Sequence, residues 1–293
     1  MQKKLNNFTP AHPRIGLDRT FIRSILLDPN KDIGCDESQI FENESISDPN
    51  FIENLLNLNS QKIEKYKNEG CICIYDERTF DFPKKKITYN DLIEMLENDD
   101  NTEIILDKYK GKWINSLNEI IPIESLKNFS EALYKFDPQY PLNIQFESRF
   151  ESGNLRMAIK VKEYEYDLIV NNDINSGKSS NWFYFRITLR NTGRINLAES
   201  PVTYKFNIIN CQKPDTLFSK GLKVLCFSSA KNIWNRHTRL NYYFTNVLNV
   251  EEKKLYTLTF TYDVNYNFTE ENLYFAYCFP YTYSNLQNYL SNI

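Results

Sequence analysis

From Pro141 onward the sequence keeps a two-residue rhythm. Ile144, Phe146, Ser148 and Phe150 alternate with Asn143, Gln145, Glu147, Arg149 and Glu151, so one face is largely apolar and the other polar. A helix would also align Phe146 with Phe150. The segment is short, however, and runs from Pro141 to a Ser152-Gly153-Asn154 turn, which suits a strand better. Glu147, Arg149 and Glu151 then line its wet face with alternating sign. Similar runs follow: RMAIKVKEYEYDLIV, WFYFRITL, VTYKFNII, GLKVLCFS, LNYYF, LYTLTFTYD and NLYFAYCFPY, separated by connections containing Asn, Gly, Pro or Ser. Tyr, Phe, Val and Ile dominate them, as residues that pack on a pleated surface do. Such a series without intervening helices predicts a mainly β chain, an antiparallel sandwich of about eight or nine strands over residues 141–283. Trp182-Phe183-Tyr184-Phe185 can bury rings on both faces only in a central strand.

Residues 1–140 read as a mixed α/β, partly irregular region. ITYNDLIEMLEND and PIESLKNFSEALYKF each carry apolar residues at helical spacing and predict short helices, whereas DPNKDIGCDESQIFENESISDPN predicts loop or disorder. Residues 284–293 begin another helix, with Ser284 as its expected cap and Leu286, Tyr289 and Leu290 on one stripe. A helix of two turns is marginal alone, so it reads as the lead into a further domain.

At 293 residues the chain can bury a sizeable core. It has no run of 18 apolar residues, and its N-terminus lacks the apolar stretch of a signal peptide; neither membrane insertion nor export is expected. Six scattered cysteines then read as reduced thiols in a cytoplasmic protein. Residues 1–145 carry 18 Lys and Arg against 25 Asp and Glu, a balance of −7, and residues 146–293 carry 17 against 13, a balance of +4. Neither half is basic enough for nucleic acid, although the second would mildly favour an acidic partner.

Motifs for chemistry are sparse. His12 and His237 are the two histidines, and neither opens a His-x-x-Glu pair, so a histidine-based catalytic zinc site is not expected. Cys71-Ile72-Cys73 alternates like a strand and has no second Cys pair. INSGKSS resembles the end of a phosphate loop, but Asn172 replaces its first glycine. Glu251-Glu252 and Glu270-Glu271 flank strands, where solvated turns belong. Trp234, Arg236, His237, Arg239, Tyr242 and Tyr243 form the one basic cluster interleaved with aromatics. That patch could hold an acidic peptide or stack on bases; a strand-edge loop with snorkelling arginines gives the same composition.

FESRFESGNLRMA, YDLIVNNDINS, WFYFRI, YKFNIINCQKPDTLFSKGLKVL, Trp234-x-Arg236 with Tyr242-Tyr243 and Asn246, YTLTFTY and YFAYCFPYTYSNLQ occur in this order. Over roughly residues 140–290 they closely resemble the N-terminal domain of the cytosolic carboxypeptidases, the zinc enzymes linked to removing glutamates from tubulin. The resemblance implies a sandwich that packs on a following catalytic domain. It implies no catalytic or metal-binding residue and no cofactor here, since the family's zinc ligands lie in that absent domain. The connection LRNTGRINLAESPV is longer than the family pattern leads one to expect. Implied partners are the catalytic domain, in cis or in trans, and glutamylated tubulin, with a cytoplasmic, microtubule- or cilium-associated location. A stand-alone interaction module lacking enzyme activity remains the alternative. Under either expectation, Glu147, Arg149, Glu151, Trp234, Arg236 and Arg239 are the candidate interaction residues.

Overall fold

The computed structural model describes residues 49–77, 85–97, 113–114, 120–121, 140–173, 180–236, 238, 241–246, 248 and 254–292. The helix expected between Pro122 and Phe136, most of INSGKSS, Glu251-Glu252, His237 and Arg239 lie outside them.

Three helices are described: α1 (Pro49–Asn68), α2 (Tyr89–Glu97) and α3 (Tyr283–Ser291). The strands are β1 (Cys71–Asp76), β2 (Lys86–Ile87), β3 (Trp113–Ile114), β4 (Ile120–Ile121), β5 (Leu142–Glu147), β6 (Leu155–Lys162), β7 (Glu165–Val170), β8 (Tyr184–Asn191), β9 (Val202–Cys211), β10 (Leu225–Ser228), β11 (Ile233–Asn235), β12 (Asn241–Thr245), β13 (Tyr256–Val264) and β14 (Glu270–Ala276). Two sheets stack: a larger one in the order β12-β13-β9-β7-β6-β1-β2, and a smaller one in the order β11-β10-β14-β8-β5. Strands β3 and β4 pair separately. Every described pairing is antiparallel except β7 with β9, which run parallel because the intervening β8 crosses to the smaller sheet.

Ten strands lie between residues 141 and 283, somewhat more than expected. RMAIKVKEYEYDLIV breaks into β6 and β7 at Glu163-Tyr164, a turn without glycine, asparagine or a positive φ to announce it. The larger sheet also takes β1 and β2 from before residue 140, so the sandwich draws on both sides of that boundary.

Alternation places Phe146, Phe185, Phe206, Phe260 and Phe275 between the sheets, all buried. Phe206 lies at their centre, with ring centroids at 5.3 Å from Phe260, 5.4 Å from Phe275, 6.1 Å from Phe146 and 6.5 Å from Phe185. Such aromatic pairs add about 0.5–1.5 kcal/mol each beyond the burial of their area. The long connection after β8 is pinned as well: Leu197 is fully buried against this core, and its N–H donates to the Asn267 side chain at 2.8 Å.

Helices α1 and α2 cover the outer face of the larger sheet, where Tyr66 and Leu92 meet Met157, Ile159 and Ile169. Polar ties fix α1 there. Lys62 Nζ lies 2.7 Å from Asp167 Oδ1, Tyr66 donates to Asp167 Oδ2 at 3.2 Å, and Asn207 Nδ2 bridges Asp167 and Glu165 at 2.8 and 3.2 Å. Helix α2 starts as expected, with Thr88 and Asp91 reciprocally hydrogen-bonded in a capping arrangement. The chain yields no helix long and apolar enough to cross a membrane among the described residues.

Candidate interaction surface

The expected strand through Glu151 ends at Glu147. Ser148 then leaves the ladder: its N–H donates to Tyr75 Oη at 3.1 Å, and its Oγ donates to Leu155 O at 2.8 Å. The Phe150 N–H donates to Ser148 O at 2.8 Å, closing a tight bend. The consequence is a change of face. Phe146 points into the core, whereas Phe150 crosses to the outside of the smaller sheet and packs on Tyr184 and Tyr274 at 5.0 and 6.0 Å. Gly153 is required by this bend, because a Cβ there would sit 2.0 Å from Ser148 O.

The three charged residues expected on a common wet row therefore part company. Arg149 folds back on Glu147, with Nε to Oε1 at 2.8 Å and Nη2 to Oε2 at 2.6 Å, side chains 12% and 13% exposed. The Arg149 guanidinium also stands 5.7 Å from the Tyr75 ring. Glu151 turns instead to the last helix, where its Oε1 accepts from the Ser284 N–H at 2.7 Å. Desolvation pushes the Glu151 carboxyl up, but hydrogen bonds from Ser284, Thr282 and Tyr283 outweigh it and hold it below the ordinary glutamate range. Thr282 rather than Ser284 caps α3, its side chain accepting from the Asn285 N–H.

On the outer face of the smaller sheet, register aligns one row across all five strands: Glu147, Arg186, Tyr274, Phe227 and Trp234. Trp234 lies at the far edge of this row from Glu147 and is 3% exposed, packed on Phe227, Tyr184 and Phe279 at 5.4, 6.2 and 6.1 Å. Arg236 reaches back to donate to Lys223 O. Of the sequence-derived candidates, the structure thus gathers Glu147, Arg149 and Trp234 onto or beside one face and engages each of them within the chain. The aromatic half of the face carries Phe150, Trp182, Tyr184, Tyr274 and Phe279, and α3 starts beside it. Four large apolar residues are exposed at and just before α3: Tyr281, Tyr283 (69%), Leu286 and Leu290 (53%).

Glu271 corrects a second expectation. It is fully buried within β14, and its Oε1 accepts from Ser228 Oγ at 2.8 Å and from the Ala230 N–H at 3.3 Å, tying the β10–β11 turn to the sheet. Its period-two neighbours gave no hint of this, because the donors come from a distant hairpin. Arg186, in the middle of the row, was likewise not singled out by sequence; only the pairing of three strands shows where it stands.

At one end of the sandwich a cavity of about 260 Å³ is lined by Trp182, Phe183, Phe218, Tyr243 and Tyr277, with Lys220 paired to Asp215 at 3.3 Å near it. No three His, Cys, Asp or Glu side chains converge among the described residues to hold a metal. Glu165 and Asp167, which share the Asn207 amide, are already paired with Lys205 at 3.1 Å and Lys62 at 2.7 Å.

Comparison with known proteins matches residues 146–278 to the cytosolic carboxypeptidase N-terminal domain. Cytosolic carboxypeptidase 3 of Mus musculus is 39% identical over 153 residues, 50% of this chain and 14% of that protein. Cytosolic carboxypeptidase 2 of Xenopus tropicalis is 39% identical over 155 residues, 51% of this chain and 15% of that protein. Cytosolic carboxypeptidase 1 of Homo sapiens is 39% identical over 163 residues, 51% of this chain and 12% of that protein. This chain thus spans about one-seventh of the length of the curated relatives it matches. Motif order, the sandwich and the 39% identity agree in making residues 146–278 similar to the cytosolic carboxypeptidase N-terminal domain.

Proposed function

We propose that this chain is the non-catalytic front domain of a cytosolic zinc carboxypeptidase that removes glutamates from acidic protein tails such as those of tubulin. In this reading the zinc and the hydrolytic residues belong to a separate carboxypeptidase domain. The sandwich packs on that domain and shapes the approach to its active site, in the cytoplasm and in association with microtubules or cilia. One observation carries the reading: Tyr281, Tyr283, Leu286 and Leu290 are exposed on and just before a helix anchored beside the aromatic outer face of the smaller sheet. Four of the eight large apolar residues exposed among the described residues are concentrated there, which supports a protein-docking surface.

The test mixes this chain with the separately purified carboxypeptidase domain of a relative such as mouse cytosolic carboxypeptidase 3. A complex is expected by size exclusion, together with a change in glutamate release from a glutamylated tubulin peptide. Tyr283→Asp combined with Leu290→Asp should abolish the complex without lowering the unfolding midpoint. The proposal falls if the wild-type chain neither binds that domain nor alters its rate. Salt-sensitive binding of the glutamylated peptide to this chain alone, without any complex, would instead support the stand-alone interaction module.

A further inference from the structure

The outer row of the smaller sheet holds a cation that the described residues leave unanswered. Arg186 stands between Glu147 on β5 and Tyr274 on β14, with Tyr184 and Thr188 two residues away on its own strand. Its Nε–H is buried and has no hydrogen-bond acceptor, and no ion pair joins its guanidinium among the described residues. The adjacent carboxylate is spoken for: Glu147 Oε1 accepts from the Ser148 N–H, the Arg149 N–H and Arg149 Nε, and Oε2 accepts from Arg149 Nη2. Glu151, the next carboxylate along the chain, is turned away to the start of α3. Glu270, at the other end of the face, is paired with Arg190 at 2.7 Å. Every carboxylate that register or sequence brings near Arg186 is thereby committed elsewhere, and the Glu147, Arg149 and Arg186 group keeps one net positive charge.

A buried donor without an acceptor costs free energy, and a partly desolvated guanidinium without a counter-charge costs more. Such a group persists where a ligand completes it, since sites built for binding are commonly less stable than the same sites made apolar. A guanidinium offers a planar fork of donors that matches a carboxylate in two-point contact. The aromatic side chains flanking it would exclude water from that contact.

We infer that Arg186 is the anchor for a carboxylate presented by a docked protein on the outer face of the smaller sheet, a carboxylate flanked by apolar side chains that meet the half-buried Phe150 and Tyr274. The inference rests on the docking surface proposed above at α3, extends it onto the neighbouring sheet face, and adds the chemistry the partner must bring. Charge complementarity selects the occupant: the patch is positive, and its apolar surround suits a protein segment better than a free anion.

Two measurements test it without the carboxypeptidase domain. First, the unliganded Arg186→Met protein should unfold at the same or a higher denaturant midpoint than wild type; a clear fall would mean that the guanidinium is structurally engaged and would overturn the inference. Second, the peptide Ac-Leu-Glu-Leu-NH2 should produce saturable shifts of the Tyr184, Arg186 and Tyr274 amide resonances. Ac-Leu-Gln-Leu-NH2 and inorganic phosphate should bind at least tenfold more weakly, and Arg186→Met and Arg186→Lys should weaken the Glu peptide by about tenfold or more. Equal shifts from the Glu and Gln peptides, phosphate binding as tight as the Glu peptide, or binding that survives Arg186→Met would each overturn it. Because neither arm uses the carboxypeptidase domain, their failure is distinct from failure to form the complex described above.

Discussion

Two residues carry more of the fold than their type suggests. Phe206 touches rings from both sheets, so Phe206→Ala opens a cavity that no single neighbour can fill. A loss of about 3–5 kcal/mol is expected in urea unfolding, with an unchanged m-value. Gly153 lies against the Ser148 carbonyl, where any Cβ must displace backbone. Gly153→Ala should cost about 1–3 kcal/mol by the same measurement, through strain rather than a lost contact. Alternation made the interior position of Phe146 legible from sequence alone. The crossing of Phe150 to the opposite face was not, because it depends on the Tyr75 hydroxyl, which reaches Ser148 from 73 residues earlier. Period-two reasoning assumes an unbroken strand, and a non-local hydrogen bond ended this one.

At the level of elements, the hairpins after Pro141 followed from their own side chains, whereas the N-terminal contributions did not. Helix α1 begins at Pro49, at the end of an Asn- and Asp-rich stretch that reads as loop, and its stability comes from docking on the larger sheet rather than from propensity. Its polar anchor is sensitive to acid. Burial raises the Glu165 carboxyl, but Lys205 and Lys62 with the Asn207 amide outweigh it, leaving the carboxyl below its ordinary value. A depressed folded pKa contributes stability that is complete above the unfolded value of about 4.3 and is lost as pH falls through the folded one. Between pH 5 and pH 3 the wild-type unfolding midpoint should therefore fall more steeply than that of Glu165→Gln; parallel profiles would refute a role for this carboxylate. Strands β1 and β2 matter in the same way. A chain beginning at Tyr140 lacks Tyr75 and bares the β6 edge, so it should unfold at lower denaturant and bind more anilinonaphthalene sulfonate than the chain beginning at Pro49.

For the whole molecule, the sandwich and its family resemblance were readable because motif order and alternation are both carried along the chain. The composition of the outer face was not, since Glu147, Arg186, Tyr274, Phe227 and Trp234 meet only when four pairings are in register. That same closure protects the thiols. Burial pushes Cys71 up to about 11 and Cys73 up to about 12, and it raises Cys226 well above the ordinary range; desolvation also raises Cys278, partly offset by Arg236, but Cys278 is exposed. Thiolate chemistry at pH 8 should then alkylate Cys278 first, because it is exposed, and reach Cys71, Cys73 and Cys226 only through global unfolding. Site-resolved mass spectrometry during iodoacetamide treatment checks this, and early modification of Cys73 would contradict the packing.

The placement of β1 beside β6 also sets a timetable for biosynthesis. Cys71–Asp76 leaves the ribosome long before Leu155–Lys162 exists to receive it. About eighty residues must be made in between, a wait of roughly 4–16 s at ordinary translation speeds. During that interval a cysteine- and isoleucine-rich segment has no ladder to join. Nascent chains stalled before residue 155 should therefore be the form of this protein most dependent on chaperones, and release past Lys162 the event that ends the dependence.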